Sequence, residues 1–503
     1  MAKHHQSHLI FNLHSICHLL FVLSSISSLA FLFWTYYHPC SCNLQKPITT
    51  LHSQSQPLFS GHLPSLPSAW NHLSFSPEPP PKRLNIALFV KRWPQANRAG
   101  GMERHALTLH LVLARRGHMT HVFTVSPDAS PKAVHPNIHF HLSDPTPFGL
   151  MDPAAAWRQF EALNSTQPFD VVHSESVGLM HPWAKRLTNI AVSWHGIAYE
   201  AMHTDIVEDL VRRQGEHRSP DLEKRLAERS FRIIEEVKFF QNYAHHIATS
   251  DHVGDILKRI YMIPEERVHV ILNGVNEYVF KQDSVSGHAF RQQYGVPESA
   301  GLVLGMSGRL VRDKGHPIMF EALNQIFMED QMFRKQIFVV VAGDGPWADR
   351  YKELGPNLLV LGPLDQGEIA RFYNALDIFV HPSLRAQGFD QTPLEAMISG
   401  KPVMATRFAS TTGSAIVSSE LGYIFSPTVE SLKETLYRVF RDGREVLEKK
   451  GKAARWRASK LFTATKMAAS FERLFLCISS NERKQDTDYC KYPLPSDTFL
   501  ENS

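Results

Sequence analysis

The segment LVLGMSGRLVRDKGHPIMFEALNQIF, residues 302–327, contains a complete strand, turn and helix. The apolar run Leu302–Ser307 has the length of a buried strand, Gly308 interrupts it, and an amphipathic helical stretch follows the turn. Runs of the same kind recur on both sides. In the first half they are Leu84–Val90, Thr120–Val125, Asp170–His173, Ile190–Trp194, His246–Thr249 and Val268–Leu272. In the second half Leu302–Ser307 is followed by Ile337–Ala342, Leu358–Leu361, Ile378–His381, Pro402–Ala405 and Tyr423–Phe425. Strands alternating with helices at this spacing imply right-handed βαβ units and parallel sheets covered on both faces. Two such sets make an α/β chain of two doubly wound, Rossmann-like domains, and ligands of that architecture bind beyond the C-terminal ends of the strands. Strand and turn signals fade between Tyr278 and Gly287, so the domains are expected over residues 83–280 and 281–476.

Composition agrees with that division. A chain of 503 residues with 43% apolar content can hold more than one ordinary core. The net charge of +4 comes from 53 basic and 49 acidic residues with no long run of one sign in the body, which excludes the electrostatic footprint of a nucleic-acid binder. The cysteines are Cys17, Cys40, Cys42, Cys477 and Cys490, so the body is expected neither to depend on disulfides nor to offer a cysteine metal site.

The N-terminus carries a different signal. No Lys, Arg, Asp or Glu lies between Lys3 and Lys46, and Ser15–Tyr37 is apolar with interspersed serines. As a helix this stretch would be roughly 35 Å long, enough to span a bilayer, and Trp34, Tyr36 and Tyr37 would sit at the interface. Ser28-Leu29-Ala30 resembles a signal-peptide cleavage site, but the apolar run continues past it, which favours an uncleaved anchor. The expected order is a cytosolic N-terminus (1–14), a transmembrane signal anchor (15–37) and a flexible Pro/Ser/His-rich stem (38–82) before the two domains. A disordered tail (477–503) follows them. Lys3 and the histidines beside it place the body in the lumen of an endomembrane compartment, with the Golgi as the first expectation and the endoplasmic reticulum as the second. The sequon Asn164-Ser165-Thr166 fits that topology.

Three loops carry chemistry. The segment after the first strand, KRWPQANRAGGMERHALTLH, ends at Gly100-Gly101 and opens a helix, so its N–H groups could meet an anion. It lacks the tight G-x-G-x-x-G turn of a dinucleotide oxidoreductase. In the quoted segment, Arg309 and Lys314 follow a strand end beside Gly308 and can project into a cleft, where a diphosphate leaving group needs its charge stabilised. In HPSLRAQGFDQTPLEAM, Glu395 lies in the first turn of a helix, where a carboxylate stays ionised and can accept hydrogen bonds from ribose hydroxyls. His195 follows an apolar strand and precedes Gly196, which suits the cleft better than the core.

Taken in order, GGMERH, SWHG, ILNGVN, GRLVRDKG, VAGDGP, LGPL and GFDQTPLEAM resemble family 4 of the retaining glycosyltransferases, over roughly Asn85 to Phe475. The resemblance implies the GT-B fold, with two domains facing across a cleft. It implies a nucleotide-sugar donor, a UDP-sugar by default, held mainly by the second domain, and an unidentified acceptor held mainly by the first. It also implies no metal and no other cofactor, because cationic side chains and helix N-termini neutralise the diphosphate. By resemblance Arg309 and Lys314 are the phosphate-binding pair, Glu395 the ribose-binding acid and His195 the histidine near the donor sugar. Gly100 and Gly101 lie beside the phosphates, and Gly362 and Leu364 fall where the base is lined. The donor pocket is placed around Gln387 and Gly388, beside Gly308.

Two departures stand out. The family usually has a glutamate eight positions before the second one, and here that position is Gln387. Glutamine keeps the reach but not the charge. After Thr406 the segment FASTTGSAIVSSE replaces the usual glycine pair and glutamate. Both departures leave open a second reading, a catalytically impaired descendant that binds a nucleotide sugar or a partner.

Overall fold

A computed structural model describes residues 60–65, 70–94, 100–125, 135–212, 215, 217, 220–386, 388–480 and 487–494, all within one unit spanning Phe59–Ser503. The expected anchor 15–37, most of the stem and Gln387 lie outside the described residues. Among the described residues no helix is long and apolar enough to cross a membrane.

The first half builds a seven-stranded sheet from β1 (Asn85–Phe89), β2 (Met119–Val125), β3 (Ile138–Ser143), β4 (Val171–Glu175), β5 (Ile190–Trp194), β6 (His245–Ala248) and β7 (Val268–Val270). Every pairing is parallel and the order is β3-β2-β1-β4-β5-β6-β7. The second half has six parallel strands, β8 (Leu302–Ser307), β9 (Ile337–Ala342), β10 (Leu358–Gly362), β11 (Ile378–His381), β12 (Val403–Thr406) and β13 (Gly422–Phe425), in the order β10-β9-β8-β11-β12-β13. Each sheet therefore reverses strand order once, between β1 and β4 and between β8 and β11. Those reversals open the crevices in which ligands of doubly wound sheets bind. The central strands are buried along their whole length, as continuous apolar runs between two helical layers require.

Six helices matter for the site: α1 (Gly101–Arg115), α2 (Ala198–Leu210), α3 (His316–Glu329), α4 (Gln391–Ile398), α5 (Val429–Leu461) and α6 (Ala464–Ser480). The last one crosses back. Met467, Phe471, Leu474 and Phe475 of α6 join Leu109 and Leu113 of α1 in one apolar cluster. Arg116 and His118 of the first half both hydrogen-bond Glu472.

The expected flexible stem and tail need correction where the structure describes them. Trp70 and Leu73 are buried, and Asn71 donates to the carbonyls of Leu272 and Leu461 while accepting from the Leu272 N–H. A buried amide with three backbone partners and an indole beside it repays the ordering of a short segment, although Pro and Ser dominate the surrounding composition. Gly61–His62 pairs antiparallel with Lys491–Tyr492. The expectation of a body without disulfides also fails at its end, because Cys477 of α6 is bonded to Cys490.

Candidate active site

The α4 loop and the β8 loop meet at the reversal of the second sheet. Gly315 makes this possible: its φ is +76°, and a Cβ there would lie 1.7 Å from the Pro382 carbonyl, so only glycine lets α3 start against the β11 loop. A cavity of about 650 Å3 lies beyond these strand ends. Gly100, Gly101 and Arg104 of α1 line it from the first half, and Gly308, Arg309, Lys314, Leu364 and Glu395 line it from the second. Seven residues singled out from sequence thus come together.

Their surroundings differ. The Arg309 guanidinium is exposed and has no side-chain partner among the described residues. Lys314 Nζ is held 2.7 Å from Asp390 Oδ2, which also lies 3.1 Å from His381 Nε2. Glu395 is buried; its Oε1 accepts from Arg104 Nη1 at 3.1 Å and its Oε2 from the Tyr373 hydroxyl at 2.8 Å, which in turn meets Ser307 Oγ. Ionised carboxylate oxygens have further lone pairs, so both contacts leave room for ribose hydroxyls. Arg104 Nε is buried with no partner among the described residues, a donor available to a ligand. No side chain rises from Gly101, and a Cβ there would meet nothing within 4 Å, whereas a Cβ on Gly100 would lie 2.5 Å from Glu103 Oε2, so the Glu103 carboxylate stands beside the start of α1.

His195, Gly362 and Gly388 do not line this cavity. His195 instead belongs to a buried chain that sequence reading missed. Its Nε2 lies 2.5 Å from Glu175 Oε2, and His105 Nδ1 lies 2.9 Å from Glu175 Oε1. Burial alone would raise the Glu175 carboxyl, but the two imidazoles hold it well below the usual carboxylate range. Burial lowers His195 in spite of Glu175. An ionised carboxylate only accepts, so Glu175 fixes the proton of neutral His195 on Nε2 and leaves Nδ1 with its lone pair. The three ligand atoms lie within 4.8 Å of one another and could hold a metal ion, although their mutual hydrogen bonds satisfy them without one. The elements that meet here, α1, β4 and β5, are far apart in sequence, and only the GGMERH motif hinted at His105.

The loop before α4 rests on the first half. Gly388, at φ +58°, donates its N–H to both oxygens of buried Glu200 at 3.1 and 3.2 Å, and a Cβ on it would lie 2.7 Å from the His195 carbonyl. Burial pushes the Glu200 carboxyl up to about 8. Asn273 Nδ2 holds the Phe389 carbonyl at 2.6 Å. The unusual segment after Thr406 serves the same interface: Ser414 donates to Asp251, and Phe408 meets His203 edge-on.

Comparison with known proteins agrees with this geometry. The Glycosyltransferase Family 4 profile matches residues 99–278 and the Glycosyl transferases group 1 profile matches residues 289–457, together more than two thirds of the chain. The chain is 26% identical over 340 residues to D-inositol 3-phosphate glycosyltransferase of Xylanimonas cellulosilytica, covering 62% of this chain and 76% of that one. A glycosyltransferase structure from Rickettsia africae superposes with a TM-score of 0.62 at 19% identity, over 79% of this chain and 99% of that one. HepE from Anabaena in complex with UDP-glucose superposes with a TM-score of 0.56 at 18% identity, over 78% and 99%. With both halves matched in order and a GT-B fold around one interdomain cavity, the chain belongs to the glycosyltransferases of the family 4 and group 1 type.

Proposed function

We propose that the cavity binds a nucleoside diphosphate sugar, in the first instance a UDP-sugar, and that the chain transfers the sugar to an acceptor with retention of anomeric configuration and without a metal ion. The observation that carries this reading is the convergence of Gly100, Gly101, Arg309, Lys314 and Glu395 on one cavity. In the proposed complex, Glu395 receives the ribose, and Leu364 borders the base. Arg309 and the N–H groups at Gly100 and Gly101 stabilise the charge that grows on the departing diphosphate. His195, held by Glu175 outside the cavity lining, is assigned to the sugar on the family resemblance alone. The acceptor enters from that same side, and Ser15–Tyr37 anchors the body in the lumen of an endomembrane compartment, the Golgi first. The relative that forms a complex with UDP-glucose supports the choice of donor class.

The test is a screen of UDP-glucose, UDP-galactose, UDP-N-acetylglucosamine and GDP-mannose for hydrolysis and transfer. It uses full-length protein in detergent, because Trp70 and Asn71 pack into the body and a form starting at Lys82 would lose them. Hydrolysis with release of the α-configured sugar supports the reading. Tight UDP binding with no turnover of any donor would favour the impaired descendant instead. Topology is tested separately: Asn164 sits at the surface end of a helix, and its glycosylation together with resistance to carbonate extraction is expected.

A further inference from the structure

Asp390 occupies an unusual place for an N-cap. It precedes the first residue of α4 with extended backbone angles, φ −62° and ψ 138°, yet its side chain makes no hydrogen bond to the helix. Elsewhere Asp152, Asp283, Asp330 and Asp365 stand at the same position of their helices, and each accepts a backbone N–H of its own first turn. Asp221, whose backbone angles are helical rather than extended, also makes no cap bond; at the extended Asp390 the attraction that competes with capping can be named. Lys314 and His381 provide it from two different loops, and both contacts fall on Oδ2. Burial would raise this carboxyl, but the two partners hold it well below the usual range, so it stays ionised. Its other oxygen, Oδ1, has no partner among the described residues, the side chain keeps 32% of its exposure, and the residue lines the cavity.

The other carboxylates on the cavity wall are engaged differently. Glu395 has contacts on both oxygens, and Asp344 accepts the N–H of Gly345. We infer that Asp390, clamped through Oδ2 by Lys314 and His381, accepts a hydroxyl of the transferred sugar on Oδ1 and is a specificity-determining residue. The inference rests on the transferase reading above. It also gives Lys314 two duties, since its ammonium orients Asp390 while facing the diphosphate.

The experiment is a cycle between residue and substrate. Wild type and Asp390→Asn are compared on the donor hydrolysed fastest in the screen and on its 3-deoxy and 4-deoxy analogues, with UDP affinity measured for both proteins by calorimetry. In wild type, one deoxy analogue is expected to lose about 10- to 100-fold in kcat/KM, the effect of one hydrogen bond to a charged group. Asp390→Asn is expected to lose a similar factor on the parent donor and nothing further on that analogue. UDP affinity stays equal or rises, because removing an anion beside Lys314 frees the ammonium for phosphate. Losses that multiply for every analogue would overturn the assignment, as would a parallel drop in UDP affinity, which marks Asp390 as only a brace for Lys314. A second variant, Asp390→Glu, keeps the charge and should recover part of the turnover lost in Asp390→Asn; no recovery counts against a role for that charge. A wild-type protein that binds UDP but processes no donor defeats the transferase reading itself, a result distinct from all of these.

Discussion

Glu175 and Asp390 stand at corresponding places in the two halves, one at the end of β4 and the other in the loop after β11, each at the reversal of its own sheet. Each binds two basic partners, but the arrangements are opposite. Glu175 is fully buried and gives one oxygen to each imidazole, so its bonding is closed. Asp390 gives a single oxygen to both partners and keeps the other beside the cavity. The difference teaches that a carboxylate cluster with perturbed ionisation can serve two ends. A closed one fixes the orientation of its neighbours, whereas an open one can also take a ligand.

The largest expected effect comes from breaking the closed cluster. Glu175→Ala leaves two buried imidazole N–H groups without their shared acceptor, and each buried donor left unpaired costs about 1 to 3 kcal/mol. Urea unfolding measures this directly. A loss below about 1 kcal/mol would mean that the histidines repack freely and that the cluster does not fix His195. Asp390→Ala should cost far less, because its partners lie near the cavity and can turn to water.

Next in size is the contrast between the two cations five residues apart. Arg309 is free and Lys314 is tied to Asp390. Arg309→Ala is expected to lower donor turnover by about 2 to 4 kcal/mol at the transition state, with unfolding unchanged. Lys314→Ala should lower turnover as well, but it also releases Asp390, so UDP affinity and sugar discrimination change together. Identical kinetic profiles for the two variants would erase the distinction drawn between them.

Much of this was legible in the sequence, for identifiable reasons. All twelve expected strands exist, because buried parallel strands read as continuous apolar runs. The one strand missed in the two parallel sheets, β3, reads Ile-His-Phe-His-Leu-Ser and lies at the sheet edge, where alternation replaces an apolar run. Arg309 and Lys314 were found because they lie in the loop after a strand end, and Glu395 because the motif around it resembles that of the family. Glu175 was missed because it and its two partners come from three separate elements. Trp70 and Asn71 were missed because their partners lie 201 and 390 residues away, beyond any local pattern.

A third test uses pH. The first half buries many histidines: His173 is pushed down to about 4 and His246 to about 3, chiefly by burial. These groups are neutral when folded and bind protons more readily when unfolded, so they stabilise the fold above about pH 6.5 and that contribution is lost as pH falls through this value toward 4. Glu175 acts in the same sense, losing its contribution at lower pH still, as its depressed carboxyl protonates. The second half has one comparable histidine, His316, at about 3. Hydrogen exchange between pH 7 and 5 should therefore show the first sheet losing protection before the second, by on the order of 1 to 3 kcal/mol. Equal loss in both halves would break the comparison.

The smallest effect expected is also the most discriminating. His381→Gln places an amide nitrogen near the position of Nε2, so it can keep donating to Asp390 Oδ2 while giving up the imidazole. Because Lys314 remains at 2.7 Å, the clamp loses only part of one hydrogen bond, and turnover should fall less than about threefold, with stability changed by about 1 kcal/mol or less. The matching exchange in the closed cluster, His105→Asn, also keeps a donor near Nδ1, but it leaves a void beside His195 and Phe471, whose rings lie 4.7 and 5.8 Å from that of His105. That void adds a cavity term to the lost packing, so about 2 kcal/mol of stability should go with it. If His381→Gln proves the more damaging of the two, Asp390 depends on its imidazole more than on Lys314. The open cluster would then be held as rigidly as the closed one.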